Sequence, residues 1–408
     1  MRVLLVTVGG SPEPIRSTWN HLHPDKTYFI CSEDDPYSKH KGSYVEVGNG
    51  QDGKLAASLG LSPEQFEVIQ VPADRPDQAY GILHNLIDNI YQRTPEAQIA
   101  VDYTGGTKSM SASLFAAAVE YREIDIYMVT GTRADFEKVR HGTHYPRQVA
   151  ANTVRFEREF RLALQFWESY DYEAAAKRLQ QLIAGRQPEP NVYQAQQVSR
   201  ALSLWDRFQY EQAYECLRFY AGSIPFVSQY TEQVHFLLET ERPVRRDYLR
   251  IWDLWFNALR RAERGRYDDG VARLYRLVEA TAQWQLQHSY HIDTSQVQPA
   301  QLPSGFRHDV GTEPVKMGLF EAWRLLREID TGPLSKWFIQ EESHLRQYLN
   351  IRNDSYLAHG HQPVSEEEWK KWREWLENSF LPAFHEQGQQ HGIKKIPRQL
   401  PTAWLEKV

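Results

Sequence analysis

Cysteine is nearly missing from this sequence: its 408 residues include two, Cys31 and Cys216. They stand far apart and form no CxxC pair. This excludes a disulfide framework and a cysteine-based redox or metal site, and it fits a reducing, cytoplasmic setting. Long apolar runs are missing as well. The N-terminal stretch Val3–Val8, interrupted by Thr7, is too short to span a bilayer and carries no small-residue cleavage pattern. It reads as a buried strand, and no membrane partner is expected.

Positive charge is not in excess either. Lys and Arg number 47 against 53 Asp and Glu, a formal net charge of -6. That balance excludes a protein that coats nucleic acid through bulk electrostatics, so any RNA contact has to be local. One locality exists: Arg242 to Arg276 holds ten arginines against five acids, with Tyr248, Trp252, Trp255 and Phe256 among them. It reads either as a solvated helix face with apolar anchors or as an RNA-facing surface. A helix-turn-helix reader would need a basic recognition helix, and none is seen. The pairs His21 with His23, His141 with His144 and His359 with His361 have no acidic or cysteine partner at ligand spacing, so no metal is expected. The chain also lacks a GxSxG elbow, a Walker A loop and a GxGxxG fingerprint.

What is present divides the chain. Residues 1–135 alternate short β-branched runs with helix-length segments, predicting strands near Val3–Val8, Tyr28–Cys31, Phe66–Val71, Ile99–Tyr103 and Asp125–Thr130. Helices are predicted over Ala73–Tyr91 and Thr107–Glu120, and a hairpin or linker over 136–152. Strands separated by helices give βαβ units and a mainly parallel sheet, with ligands at the carboxyl ends of its strands. After about residue 155 the pattern is helical. A weak repeat aligns Trp167–Leu179 with Trp205–Leu217, and Tyr267 and Leu274 begin a third copy. In each, an aromatic is followed three residues on by a small residue, the mark of closely packed helical hairpins. Loops are predicted at Gly185–Pro190 and Pro299–Gly311.

Two glycine turns carry chemistry. The segment DYTGGTKSM leads from an apolar strand through Gly105 and Gly106 into a helix, with Thr104, Thr107, Lys108 and Ser109 beside the turn. Main-chain amides at such a helix start suit an anionic or phosphate-bearing ligand, although glycines there can also serve backbone geometry alone. A second turn, with Gly9, Gly10 and Ser11, closes the first strand, and in a parallel sheet both turns open on one edge. Near the C-terminus, LRQYLNIRNDSYLAHGH reads as a helix ending at Gly360, which puts Arg352 and His359 on one face about 10 Å apart. Such a pair is commonplace by itself. Its chemistry still suits RNA cleavage: histidine titrates near neutrality and can move a proton, while arginine keeps its charge beside a phosphate.

The TVGGSPEP and DYTGGTKSM turns resemble the CARF domain of type III CRISPR accessory nucleases, the Csm/Csx-like CARF–HEPN proteins, and RNDSYLAHG resembles the HEPN ribonuclease pattern of Arg, four to six residues, then His. The resemblance implies an α/β Rossmann-like domain over 1–145, a helical linker or scaffold over 146–244, and an all-α HEPN-like ribonuclease domain over 245–408. It implies that Gly9, Gly10, Ser11 and Thr104, Gly105, Gly106, Thr107, Lys108 and Ser109 bind a cyclic oligoadenylate activator, cyclic tetra-adenylate being the first choice. It further implies a homodimer that cuts single-stranded RNA without metal or other cofactor, leaving 2′,3′-cyclic phosphate ends, with Arg352, Asn353 and His359 at a composite site. Two alternatives remain: a non-catalytic nucleotide-sensing regulator or scaffold, and a ring nuclease that cleaves its own cyclic oligoadenylate.

Overall fold

The computed structural model describes residues 1–34, 41–48, 54–131, 143–149, 151–184, 190–304, 306, 313–357 and 360–404. His141 and His359, residues 185–189 of the first predicted loop, 305 and 307–311 of the second, and 136–142 and 150 of the predicted hairpin or linker lie outside this set. Two compact units divide the chain, Met1–Glu159 and Phe160–Val408.

The first unit is built on strands β1 (Arg2–Thr7), β2 (Lys26–Ser32), β3 (Phe66–Val71), β4 (Gln98–Asp102), β5 (Asp125–Thr130) and β6 (Tyr145–Gln148). They form one sheet in the order β3-β2-β1-β4-β5-β6, in which β1 to β5 pair in parallel and β6 returns antiparallel beside β5. The α/β reading of the sequence is what the structure has. Helices α1 (Glu13–Leu22), α4 (Pro76–Arg93) and α5 (Lys108–Val119) accompany the sheet, with short helical turns α2 (Tyr44–Val47) and α3 (Leu55–Ser58) after β2. Alternate residues of the apolar strands serve two cores, as a sheet covered on both faces requires. Val3 and Leu5 pack with Leu83 and Ile87 of α4 and Leu114 of α5, whereas Leu4 and Val6 pack with Ile15 of α1 and Phe29. The chain order reverses between β1 and β4, the topological switch point at which such sheets take their ligands.

Helix α6 (Ala151–Gln165) closes the first unit and enters the second. Its buried Arg155 donates to the carbonyls of Val119 (3.0 Å), Ala118 (2.9 Å), Arg122 (3.1 Å) and Ile124 (3.1 Å). A cation thus gathers carbonyls from the end of α5 and the turn that follows it.

The second unit is helical: α7 (Tyr172–Ile183), α8 (Pro190–Asp206), α9 (Tyr210–Leu217), α10 (Pro225–Phe236), α11 (Pro243–Glu263), α12 (Tyr267–Tyr290), α13 (Leu319–Ile329), α14 (Pro333–Asp354), α15 (Glu366–Trp375) and α16 (Leu381–Gln390). The repeat seen in the sequence is a repeated turn. Tyr170, Phe208 and Gly265 each adopt positive φ, at 57°, 61° and 68°, and each is followed by one residue with ψ of 63°, 63° or 67° and a helix opening with Tyr172, Tyr210 or Tyr267. The amide hydrogen bonds match too, Tyr170 to Trp167, Phe208 to Trp205 and Gly265 to Ala262. The third copy is therefore real. The small residue three places after each tyrosine, Ala175, Ala213 or Gly270, is buried in the interface; at Gly270 an added Cβ would lie 2.7 Å from Trp369. One core runs from Trp167 through Trp205, Trp252 and Trp323 to Phe384.

Two arginines of the arginine-rich segment, Arg260 and Arg261, are not available to an RNA-facing surface. Arg260 and Arg261 are buried, and Asp206 and Asp253 neutralise them: Arg260 Nε lies 2.7 Å from Asp206, Arg260 Nη2 3.3 Å from Asp253, and Arg261 Nη2 2.7 Å from Asp206. Trp205 Nε1 and the Tyr210 hydroxyl also donate to Asp253, at 3.1 and 2.9 Å. Amphipathic α11 has turned its C-terminal arginines inward, where their charge ties helices together.

Candidate functional site

At the carboxyl edge of the first unit's sheet, β1 and β4 are neighbours, and the structure brings their two glycine turns into backbone contact. A Cβ added at Gly9 would lie 2.7 Å from the Gly106 amide nitrogen, and one at Gly105 would lie 2.5 Å from the Thr7 carbonyl oxygen. Gly106 has φ +80° and is hemmed by Met110 and Thr7. Only glycine allows so close a crossing in that conformation.

Beneath the turns, Asp102 is fully buried, and desolvation raises its carboxyl pKa. It accepts from the Thr104 amide (2.9 Å), the Thr104 hydroxyl and the Thr18 hydroxyl. Thr104 Oγ1 also accepts from the Val129 amide at 2.7 Å, so this side chain is committed to holding β4 to β5. Thr107 is the N-cap of α5 and accepts from the Met110 amide at 3.2 Å. This leaves the amides of Lys108 and Ser109 as open donors among the described residues. Lys108 is exposed and has no ion-pair partner among the described residues. Gly10 and Ser11 are also exposed, the Ser11 hydroxyl donating to Glu13. The edge thus offers amides, a helix start and one lysine, a set suited to a phosphate-bearing ligand. The sequence alone did not expose the buried support from Asp102 and Thr18.

In the second unit, Arg352 occupies the last turn of α14 and Asn353 follows it. Arg352 Nη1 donates to Asn353 Oδ1 at 3.1 Å, and its guanidinium carbon lies 4.5 Å from the centre of the Tyr275 ring on α12. Burial raises the Tyr275 phenol, Glu279 raises it further, and Arg352 pulls it back.

The helix around them differs from the expectation. It ends at Asp354, because Ser355 takes an extended conformation and turns its amide (3.1 Å) and hydroxyl (2.8 Å) onto the Arg352 carbonyl. The chain then folds back: the Gln362 amide donates to the Asp354 carbonyl and the Gly360 amide to Ser355. Gly360 is therefore no helix cap. It lies so close to the end of α14 that a Cβ there would sit 1.9 Å from the Asp354 carbonyl oxygen. His359 is outside the described residues, and the argument from a shared helix face does not hold.

Among the described residues, no group of three or more His, Cys, Asp or Glu is placed to hold a metal ion, and no helix is long and apolar enough to cross a membrane. Cys31 and Cys216 are both free, and burial pushes the Cys31 thiol up to about 12.

Residues 242–380 match the family model described as the Csm6 HEPN domain. The whole chain is similar to the structure of Enterococcus italicus Csm6 bound to cyclic hexa-2′-fluoro-hexa-dAMP, with 13% identity and a TM-score of 0.58, covering 97% of this chain and 99% of that one. A type III CRISPR defence DNA nuclease activated by cyclic oligoadenylate has 10% identity and a TM-score of 0.26, covering 48% of this chain and 33% of that one. Can2 from Sulfobacillus thermosulfidooxidans in complex with cyclic tetra-adenylate has 14% identity and a TM-score of 0.25, covering 55% and 69%. Those two overlaps carry no structural argument. Among curated proteins no relative matches by sequence. The chain thus shares the fold of that Csm6 structure over nearly its whole length. Within it, residues 242–380 are the segment that matches the Csm6 HEPN domain.

Proposed function

We propose that the protein is a cyclic-oligoadenylate-activated, metal-independent endoribonuclease of CRISPR defence, working in the cytoplasm as a homodimer. The observation that carries this reading is the presence of Arg352 and Asn353 in mutual contact inside the segment that matches the Csm6 HEPN domain. The crossed glycine turns at the switch point support the activator site. Residues 1–145 then sense the ligand, 146–244 scaffold the helical unit, and 245–408 cut.

In the reaction, the 2′-hydroxyl oxygen of the substrate attacks the adjacent phosphorus and the bond to the 5′-oxygen breaks, giving a 2′,3′-cyclic phosphate. His359 takes the 2′ proton or supplies one to the leaving oxygen, and Arg352 offsets the charge that builds on the phosphorane-like transition state. Asn353 holds the Arg352 guanidinium through its amide oxygen. Two copies of the motif around a twofold axis make the composite site. The activator lies across the turns at Gly9–Ser11 and Thr104–Ser109 of both protomers, with Lys108 beside its phosphates. Cyclic tetra-adenylate is the first ring to test. The hexa-adenylate ring is the second, since the Enterococcus italicus structure holds a six-membered analogue.

Labelled single-stranded RNA incubated in EDTA, with and without each ring, tests the reading. Cleavage that requires a ring and falls roughly 10²–10⁴-fold in His359→Ala is the expected result. Loss of cleavage in EDTA would refute the metal-free chemistry. Degradation of the ring with intact RNA would instead favour a ring nuclease, and binding of the ring with neither cut would favour a regulator.

A further inference from the structure

After α16 the sequence cannot continue as helix, since Gly392 adopts positive φ and Pro397 follows five residues later. The segment instead runs as a strap across the second unit. Its two ends are fixed: Ile393 and Leu400 are buried in the core, and Gln233 of α10 clasps Arg398 in both directions. The Arg398 amide donates to Gln233 Oε1 at 2.9 Å, and Gln233 Nε2 donates to the Arg398 carbonyl at 2.8 Å. Between these anchors Lys394, Lys395 and Ile396 are exposed. They face a groove of about 640 Å³ whose other wall includes Arg242 and Arg245 at the start of α11.

The charge in this groove runs against the rest of the molecule. Lys394, Lys395, Arg398, Arg242 and Arg245 line it with a single acid, Glu232, while Glu239 pairs with the two α11 arginines at 3.7 and 3.5 Å. Five cations against two carboxylates leave a local excess in a chain whose net charge is -6. Lys394 and Lys395 have no ion-pair partner among the described residues. The Arg245 guanidinium lies 3.8 Å from the centre of the Phe236 ring, a flat cation–aromatic platform, and Ile396 adds exposed apolar surface beside it. Cationic grooves with stacking faces are how proteins hold single-stranded nucleic acid without reading its sequence.

We propose that this groove binds single-stranded RNA as a substrate-holding track separate from the Arg352–Asn353 pair. The proposal rests on the ribonuclease reading for the identity of the strand. Its cations come from two stretches of the chain far apart in sequence, Arg242 and Arg245 from one and Lys394, Lys395 and Arg398 from the other.

The test measures anisotropy of a labelled oligouridylate with the full-length His359→Ala protein over a range of salt concentrations. Lys394→Glu combined with Lys395→Glu is expected to weaken binding about tenfold or more. The slope of log affinity against log salt should become shallower by about 1.4, at roughly 0.7 per lost phosphate contact on a single strand. Lys370→Glu with Lys371→Glu makes the same change in net charge on exposed α15 and is expected to shift affinity less than about twofold. Lys394→Arg with Lys395→Arg should bind as the parent does, which separates lost charge from misfolding. Parental affinity in the groove variant, or equal weakening in the α15 variant, would overturn the proposal. Displacement of RNA by polyglutamate at equal charge would overturn it in favour of an acidic protein partner. A protein that binds RNA through the groove but never cuts it fails the ribonuclease reading alone. One that cuts RNA while the groove variant binds normally fails the groove alone.

Discussion

Arg352 owes its position to three neighbours of different kinds. The last turn of α14 presents carbonyls that favour a cation, Asn353 accepts one of its N–H groups, and the Tyr275 ring lies against its guanidinium. A cation–π contact contributes about 0.5–2 kcal/mol, more when water is excluded. If Arg352 acts as proposed, Tyr275→Leu should lower kcat/KM for RNA by about 2- to 30-fold, whereas Tyr275→Phe, which keeps the ring, should stay within about twofold. Equal losses in the two variants would show that the hydroxyl matters and the ring does not. Arg352 and Asn353 were singled out by their local pattern. Tyr275 was not, because it reaches the site from a helix far upstream and nothing near it in the chain points to Arg352.

At the scale of elements, legibility followed the reach of the pattern. Apolar and β-branched runs bounded by turns gave the five parallel strands to within a few residues, most clearly β1 and β4, which are buried on both faces. The hairpin repeat was legible in its tyrosines and small residues, and the structure adds the positive-φ residue that ends each first helix. The end of α14 was misread for a reason of the same kind. The helical pattern continues through Leu357, but Ser355 competes for the Arg352 carbonyl and stops the helix, and that competition has no periodic signature. Gly360 then looked like a cap, when the return of the chain past Asp354 is what demands it. Gly360→Ala should therefore force the segment after α14 out of place, reducing RNA cleavage at least about tenfold while leaving cyclic oligoadenylate affinity unchanged. Titration calorimetry beside a cleavage assay reads both quantities, and a fully active alanine variant would contradict this account.

For the molecule as a whole, the decisive expectation is assembly. One Arg–His motif does not surround a phosphate, so the proposed chemistry needs two chains. Sedimentation at micromolar concentration should give a dimer, and mixing inactive Arg352→Ala with inactive His359→Ala subunits should restore part of the cleavage through hybrid sites. A monomer with full activity would exclude the composite site. The groove on the helical unit belongs to this scale as well, and it shows why charge along the chain was a poor guide. Of the arginine-rich stretch, Arg260 and Arg261 are interior, whereas Arg242 and Arg245 meet lysines that only the fold brings near.

The interior cluster of Asp206, Asp253, Arg260 and Arg261 has an evolutionary consequence. Losing one member strands a partner's charge away from water, typically at a cost of about 3–5 kcal/mol, whereas replacing the set with apolar residues of similar volume is often neutral or better. Sequence drift cannot pass through the intermediates one substitution at a time without crossing a valley of that depth. These four positions are expected to be inherited together or abandoned together, while the exposed pairs around them change freely from one descendant to the next.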